Sequence, residues 1–317
     1  MSPPVVDRAS VEAAATRLRG LIRLSPLVVD PESGLWLKCE NEQITGSFKL
    51  RGALNRALQL SNEDRRRGFV AASAGNHGQG VAYAARLLET HATIVVPAGA
   101  VGRKIEAIRS LGADVIAVEG GYAAAEAEGR RLAEARHAVW ISPYNDVEVV
   151  AGQGTIGLEI ETQWEQGRAS GAAEVFVPVG GGGLVAGIGA AMAALRPKVR
   201  VIGVLPANSA YLHAHYHSGS MNEVVEFPTL ADGLAGSVEA NSVTLSLVRA
   251  LVDDMILVSE DEILGALGWA WRRDRVIEPS AAVALAGALR SESKARLAVL
   301  SGGNVDPQLW EAVGRDA

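Results

Sequence analysis

The stretch Glu174-Val-Phe-Val-Pro-Val-Gly-Gly-Gly-Gly-Leu-Val-Ala-Gly-Ile-Gly-Ala-Ala-Met-Ala-Ala-Leu195 places four successive glycines between an apolar strand-like run and an apolar helical run. Glycines let the backbone approach a ligand in conformations that are closed to other residues. Their N–H groups, with a helix N-terminus behind them, form an anion site. The stretch therefore predicts a strand–loop–helix unit that binds a phosphate group. The alternative is a flexible turn between strand and helix.

Three kinds of phosphate-bearing ligand could explain this loop. A nucleotide P-loop would continue with Gly-Lys-Ser/Thr, whereas Leu184 and Val185 follow the glycines. A dinucleotide loop would have the spacing G-x-G-x-x-G and an acidic residue at the end of the next strand. The glycines permit a loose match to that spacing, but Leu205 stands at the strand end. A compact cofactor that carries a phosphate remains.

Outward from this unit, β-branched runs alternate with Ala-rich segments of helical period. The predicted strands are residues 69–72, 93–96, 115–118, 139–142, 175–179, 199–204 and 298–300. The predicted helices are residues 76–88, 102–111, 123–136, 184–195 and 260–272. This repetition predicts an α/β protein whose mainly parallel sheets are covered on both faces. One α/β domain is the simpler interpretation, whereas polar motifs in both halves favour two lobes with a cleft.

A lysine and two polar turns lie outside the glycine stretch. Lys49 is predicted in the first turn of a helix that Thr45 or Ser47 could cap, where the helix field lowers the pKa of an amine and favours its reaction as a nucleophile. Ser73-Ala-Gly-Asn-His77 follows a predicted strand and supplies donors for a carboxylate, and Ser301 follows the last strand. Taken singly, Lys49 is better explained as a solvated lysine, whereas the two polar turns are equally well explained as an ordinary cap and a turn serine.

Composition limits the class of protein. The 317 residues include 30 Lys and Arg and 36 Asp and Glu, a formal charge of −6, which disfavours binding to nucleic acid. The basic run Arg65-Arg66-Arg67 is interpreted as a solvated helix end, and the single cysteine, Cys39, as a packed thiol on a strand. No segment has the pattern of a signal peptide or the length of a membrane span, so we expect a cytoplasmic protein. Because few residues follow Ser301-Gly-Gly-Asn304, we expect no appended regulatory domain.

Taken in order, the motifs resemble those of the fold-type II pyridoxal 5′-phosphate (PLP) enzymes, the tryptophan synthase β-like fold. The resemblance is to the threonine/serine dehydratase (threonine ammonia-lyase) and serine racemase family. The matching segments are residues 46–53, 73–79, 151–155, 178–184, 278–281 and 301–304. Their order is the family's order, and they extend from near residue 20 to near residue 306. The resemblance implies PLP as the cofactor.

The resemblance implies roles for residues around the cofactor ring. Lys49 would carry PLP covalently and, once released, take the α-proton of the substrate. Phe48 would flank the ring, and Asn76 would hydrogen-bond the ring hydroxyl. Ser301 would meet the pyridine nitrogen. A serine leaves that nitrogen neutral, so the ring is a weaker electron sink and elimination of hydroxide is favoured.

It also implies a phosphate site and a substrate site. The phosphate would be bound by backbone N–H groups of Gly180, Gly181, Gly182, Gly183 and Leu184. The substrate carboxylate would be held on the loop of Ser73, Asn76 and His77. The small-molecule substrate would be L-threonine or L-serine, which loses water and then ammonia to give a 2-oxo acid.

At the level of architecture, the resemblance implies two open, mainly parallel α/β domains with the active site in the cleft. Residues 1–61 and 144–317 would form the large cofactor-binding domain, and residues 62–143 a small mobile domain. The family likeness also implies a homodimer. The acidic charge and the lack of a long apolar stretch predict neither a nucleic acid nor a membrane as partner.

Several departures and alternatives shape this prediction. Ala74 stands where the racemases usually have a second acid/base serine, which argues against racemisation. Leu205 replaces a glutamate that often helps bind a cation, so no metal is expected there. His213, His215 and His217 could form a replacement site, although solvent-facing histidines are commoner. Also open are another β-hydroxy amino acid as substrate (3-hydroxyaspartate or a compatible-solute intermediate), a racemase, a nucleotide-dependent oxidoreductase and a non-catalytic binding module.

Overall fold

The computed structural model describes residues 6–167, 173–195 and 198–316. The strands are β1 Leu27–Val29, β2 Trp36–Cys39, β3 Phe69–Ala72, β4 Ala92–Pro97, β5 Asp114–Val118, β6 Val139–Trp140, β7 Ala173–Pro178, β8 Val199–Pro206, β9 Asp254–Val258 and β10 Arg296–Leu300. The helices are α1 Arg8–Leu18, α2 Lys49–Leu58, α3 Asn62–Arg67, α4 Asn76–Leu87, α5 Gly102–Arg109, α6 Tyr122–Ala135, α7 Val147–Gly167, α8 Gly183–Met192, α9 Tyr211–Ser218, α10 Val243–Leu251, α11 Glu260–Trp271, α12 Pro279–Arg290 and α13 Pro307–Asp316. The predicted α/β class is confirmed.

The larger sheet joins the two ends of the chain. In the described residues it has six strands in the order β1-β2-β10-β7-β8-β9. Only the edge strand β1 is antiparallel to its neighbour; the remaining pairs are parallel. Leu300 at the end of β10 pairs with Cys39 at the end of β2. The segments that follow β2, β10 and β7 therefore emerge at one edge of the sheet, where open α/β sheets bind ligands.

The smaller sheet comes from one continuous part of the chain. Its strands, within the described ranges, run in the order β5-β4-β3-β6 and are all parallel. They span residues 69–140. This range lies inside the predicted small domain, residues 62–143. The boundaries of that domain and its mobility stay predictions.

Two helices are buried along nearly their whole length because they are apolar on all sides. Every residue of α8 is buried, and so is α12 from Pro279 to Ala288. Helices α7 and α8 approach each other at two glycines: a Cβ on Gly154 would lie 2.6 Å from the backbone oxygen of Gly187. This close packing fixes α8, and with it the position of the glycine turn before it.

Each predicted strand and helix is present, with its ends shifted by a few residues. The elements that were not predicted are the helices α1, α7, α10, α12 and α13 and the strands β1 and β9. The prediction that Thr45 or Ser47 caps α2 is wrong. Phe48 occupies the N-cap position without a side-chain hydrogen bond. Both hydroxyls are buried, and neither has a hydrogen-bond partner among the described residues.

Three smaller predictions concern the basic run, the single cysteine and the group of histidines. The basic run ends α3, in which no residue is buried, as expected for a solvated helix end. Cys39 is buried, and burial raises the pKa of its thiol to about 12, which confirms a packed, unreactive cysteine. The rings of His213 and His217 lie 4.4 Å apart on one face of α9, with His213 half-buried and His217 exposed. Among the described residues no group of three metal-binding side chains occurs.

Over the described part of the chain, no helix combines the length and the apolar character that crossing a bilayer requires.

Candidate active site

Lys49 is the first residue of α2 and points into the protein. Its Nζ donates a hydrogen bond to the carbonyl oxygen of Pro143 at 3.1 Å and lies 5.1 Å from the centre of the Phe48 ring. Burial lowers the pKa of this amine to about 8, and the charge of Glu278 partly opposes the shift. A much larger fraction of the amine is therefore neutral near physiological pH than for a solvated lysine, which suits a nucleophile.

The start of α2 is held against the segment that follows β10. The Phe48 N–H donates to the Ser301 carbonyl at 3.0 Å, and the Gly303 N–H donates to the Gly46 carbonyl at 2.9 Å. Ser47 and Gly302 form an antiparallel bridge between these contacts. Ser301 itself is buried. The structure thus brings the predicted lysine, the flanking phenylalanine and the serine after the last strand into one place.

The glycine turn leaves no room for side chains. Gly182 has a φ of +84° and precedes α8 as its N-cap residue. A Cβ on Gly180 would lie 3.0 Å from Leu234 Cα, and one on Gly182 would lie 2.8 Å from Leu212 Cδ1. A Cβ on Gly181 would overlap the Tyr144 ring. Because the first N–H groups of a helix have no partner within it, the turn and the start of α8 form a cradle of N–H groups that suits an anion.

The segment Pro143–Tyr144 connects the amine to the glycine turn. Pro143 accepts the hydrogen bond from Lys49, and the next residue, Tyr144, packs its ring on Gly181. The Tyr144 backbone lies 3.3 Å from a Cβ built on Gly183. The amine at position 49 is therefore linked to the glycine turn through two consecutive residues and does not point into bulk solvent.

Asn76, at the start of α4, lies in a polar network. Its Nδ2 donates to Glu278 Oε1 at 2.6 Å, and its Oδ1 accepts from Asn304 Nδ2 at 2.7 Å. Glu278 and Asn304 belong to motifs recognised in the sequence, but no role was predicted for either side chain. Pro143 and Tyr144 were not predicted either, because the short loop between β6 and α7 carries no recognisable pattern.

The predicted substrate residues Ser73 and His77 lie just before and at the start of α4, and each side chain makes one hydrogen bond. Ser73 Oγ accepts from the Gly75 N–H at 3.1 Å. His77 is buried, and its Nε2 lies 2.8 Å from the Ile141 carbonyl oxygen. Burial and the nearby charge of Lys49 lower the pKa of the His77 ring to about 3, so the ring is neutral at pH 7. A carboxylate at this loop would find donors in the backbone N–H groups at the start of α4 and in the Ser73 O–H, which the contact with Gly75 does not use.

These residues fit a cofactor that bears an aldehyde and a phosphate. The neutral amine suits the aldehyde, and the cradle that side chains would fill suits the phosphate. A model of the "Pyridoxal-phosphate dependent enzyme" family matches residues 12–302. The chain belongs to the pyridoxal-phosphate dependent enzyme family. PLP is accordingly its cofactor, as predicted.

Relatives within this PLP enzyme family are similar over most of the chain. An L-threonine ammonia-lyase of Thermotoga maritima is 42% identical over 283 residues, which are 88% of this chain and 69% of that protein. A catabolic L-threonine dehydratase of Escherichia coli is 39% identical over 280 residues, which are 86% of this chain and 83% of that protein. The family assignment leaves the nucleotide-dependent oxidoreductase without support.

Solved structures of PLP enzymes share the fold. Maize serine racemase matches with a TM-score of 0.89 and 30% identity, covering 99% of this chain and 98% of that one. Threonine deaminase isoform 2 from Solanum lycopersicum matches with a TM-score of 0.87 and 33% identity, covering 100% of this chain and 96% of that one. The fold-type II architecture predicted from the motifs is confirmed.

Proposed function

We propose that this PLP enzyme eliminates water and then ammonia from L-threonine or L-serine and releases a 2-oxo acid. The observation that carries the proposal is the position of the Lys49 amine, which is largely desolvated and adjoins the glycine cradle. The support for the substrate class is the likeness to relatives named threonine ammonia-lyase and threonine dehydratase.

When bound, PLP delocalises the negative charge that develops at the substrate α-carbon. The protein's part is to orient the substrate and move protons. The Lys49 amine, with its lowered pKa, is suited to accept the α-proton as a neutral base. The glycine turn would hold the cofactor phosphate on its N–H groups and so fix the position of the ring.

We propose that Phe48 flanks the ring, that Asn76 hydrogen-bonds its hydroxyl and that Ser301 meets the pyridine nitrogen. Support comes from their positions: Phe48 N–H is bonded to the Ser301 backbone, and Phe48 immediately precedes Lys49. A serine hydroxyl cannot protonate the nitrogen as a carboxylic acid would, so charge at the α-carbon is stabilised less and early loss of hydroxide is favoured. Elimination therefore fits these side chains.

Ala74 bears on the choice between elimination and racemisation. Racemisation needs a second proton donor on the opposite face of the substrate, and a methyl group cannot provide one. Ala74 is packed among apolar residues of the core around α2 and α4. We therefore propose elimination as the main reaction, with a dehydratase for another β-hydroxy amino acid as an outcome of the substrate test.

The proposal extends to the form of the protein in the cell. We propose a homodimer acting in the cytoplasm, with residues 62–143 as a mobile domain. The single cysteine, buried as a free thiol, fits a reducing compartment. Light scattering of the purified holoenzyme tests the dimer: a monomeric mass would contradict it.

The test is a substrate panel on the PLP-loaded protein. We expect 2-oxobutanoate from L-threonine and pyruvate from L-serine, and Lys49→Ala is expected to lower the rate by at least about a hundredfold. Lys294→Ala, which removes an exposed lysine, serves as the matched control and should leave the rate unchanged. Release of a 2-oxo acid only from another β-hydroxy amino acid, or appearance of D-serine without pyruvate, would overturn the assignment to threonine and serine.

A further inference from the structure

The amide of Asn76 is held at both ends. The two ends of an amide differ, because the oxygen accepts hydrogen bonds and the nitrogen donates them. The Nδ2 of Asn76 donates to Glu278 at 2.6 Å, and its Oδ1 accepts from Asn304 at 2.7 Å. If the amide turned over, its oxygen would face the Glu278 oxygen and its nitrogen would face the Asn304 nitrogen, so both hydrogen bonds would be lost. The two partners therefore fix the orientation of this side chain.

Glu278 is directed toward Asn76 and not toward its own helix. It is the N-cap residue of α12, but its side chain makes no capping hydrogen bond. Its N–H donates to the Gly302 carbonyl at 3.0 Å. Its Oε1 lies so close to Gly302 that a Cβ on that residue would overlap it. Burial raises the pKa of this carboxyl to about 7, and the hydrogen bond from Asn76 opposes the shift. Burial of a carboxyl is costly unless it is hydrogen-bonded, and Asn76 provides that hydrogen bond.

Asn304 completes the arrangement from the opposite side. Its Nδ2 donates to the Thr45 carbonyl at 2.9 Å as well as to Asn76. Its Oδ1 lies 2.5 Å from the position of a Cβ on Gly46. One side chain therefore ties the start of α4 to the loop that precedes Lys49. The position of Asn76 relative to the lysine depends on this contact.

We infer that Glu278 and Asn304 are positioning residues that hold the Asn76 amide with its nitrogen available to the cofactor ring. The inference rests on the proposed function, in which Asn76 binds the ring hydroxyl. One of the two N–H groups of Asn76 Nδ2 donates its hydrogen bond to Glu278. The second hydrogen is left to donate to the ring hydroxyl oxygen, and Asn304 prevents the amide from turning its oxygen there.

The test is a double-mutant cycle on PLP binding, measured by fluorescence titration of the apo-protein. Glu278→Leu and Asn304→Ala should each weaken PLP binding about tenfold, the effect of one lost hydrogen bond. In an Asn76→Ala background, Glu278→Leu should change the dissociation constant by less than about twofold, because its target is absent. Glu278→Gln should bind PLP more tightly than Glu278→Leu, because its amide oxygen still accepts from Asn76.

A spectroscopic signature separates positioning from a general loss of structure. A donor at the ring hydroxyl oxygen stabilises the anionic form, so its loss should raise the pH at which the visible band of bound PLP titrates. Asn222→Ala, an exposed asparagine, is the control and should change neither measurement. Fully additive effects of Glu278→Leu and Asn76→Ala would overturn the inference alone. Absence of PLP binding by the wild type would overturn the proposed function and this inference with it.

Discussion

Removal of the Arg51 guanidinium should destabilise the protein strongly. Arg51 and Glu40 are both fully buried. The guanidinium donates to the two Glu40 oxygens at 2.8 Å each. It also donates to the two oxygens of Glu159 at 2.6 and 2.9 Å. Among the described residues, Arg51→Ala leaves the buried Glu40 carboxylate with the Ser25 hydroxyl as its remaining hydrogen-bond partner and with Lys38 as a nearby charge.

The magnitude follows from the burial of the charges. Breaking a buried ion pair by removing one partner costs about 3–5 kcal/mol, because an uncompensated charge remains. Glu159 keeps Lys38, whose Nζ donates to it at 2.6 Å. The main cost therefore falls on Glu40. Removing both charges in Arg51→Met/Glu40→Leu should recover part of the loss, since no isolated carboxylate is left.

Urea denaturation followed by circular dichroism measures these effects as changes in the free energy of unfolding. Arg200→Ala is the matched control: its ion pair with Glu174 is at a similar distance, 2.9 Å, but Arg200 is 44% exposed. The control should cost less than about 1 kcal/mol. A loss for Arg51→Ala no larger than that for Arg200→Ala would refute the reasoning. So would a double variant less stable than Arg51→Ala alone.

Two further predictions concern cofactor binding. The rate at which the apo-protein incorporates PLP, followed by absorbance, should rise with pH through about 8, because the pKa of Lys49 is lowered to about 8 and only the neutral amine attacks; a rate still rising steeply between pH 9.5 and 10.5, as for a solvated lysine, would contradict the burial argument. Gly181→Ala should weaken PLP binding by about tenfold or more, because its Cβ would overlap the Tyr144 ring and move the cradle, whereas Gly265→Ala, at an open helical site, should not.

The sequence predicted those parts of the site that follow strands. Gly180 to Gly183 and Ser301 come directly after β7 and β10, and parallel strands bring such segments to one edge. The contact between Asn76 and Glu278 joins residues 202 positions apart, and no local pattern specifies it. The expected cap of α2 failed for a similar reason. The backbone before Lys49 pairs with the segment after β10, and this turns Thr45 and Ser47 into the interior.

The central place of β10 in the larger sheet has a consequence for how the protein is made. This strand lies between β2 and β7, yet it follows both of them in the chain. On the ribosome, β2 and β7 must wait for most of the chain before their shared neighbour arrives, so the sheet closes by contacts that are distant in sequence and slow to form. The Ser301 carbonyl that holds Phe48 arrives with it. A nascent chain therefore lacks the contact that holds the segment before Lys49 until β10 and Ser301 have been synthesised.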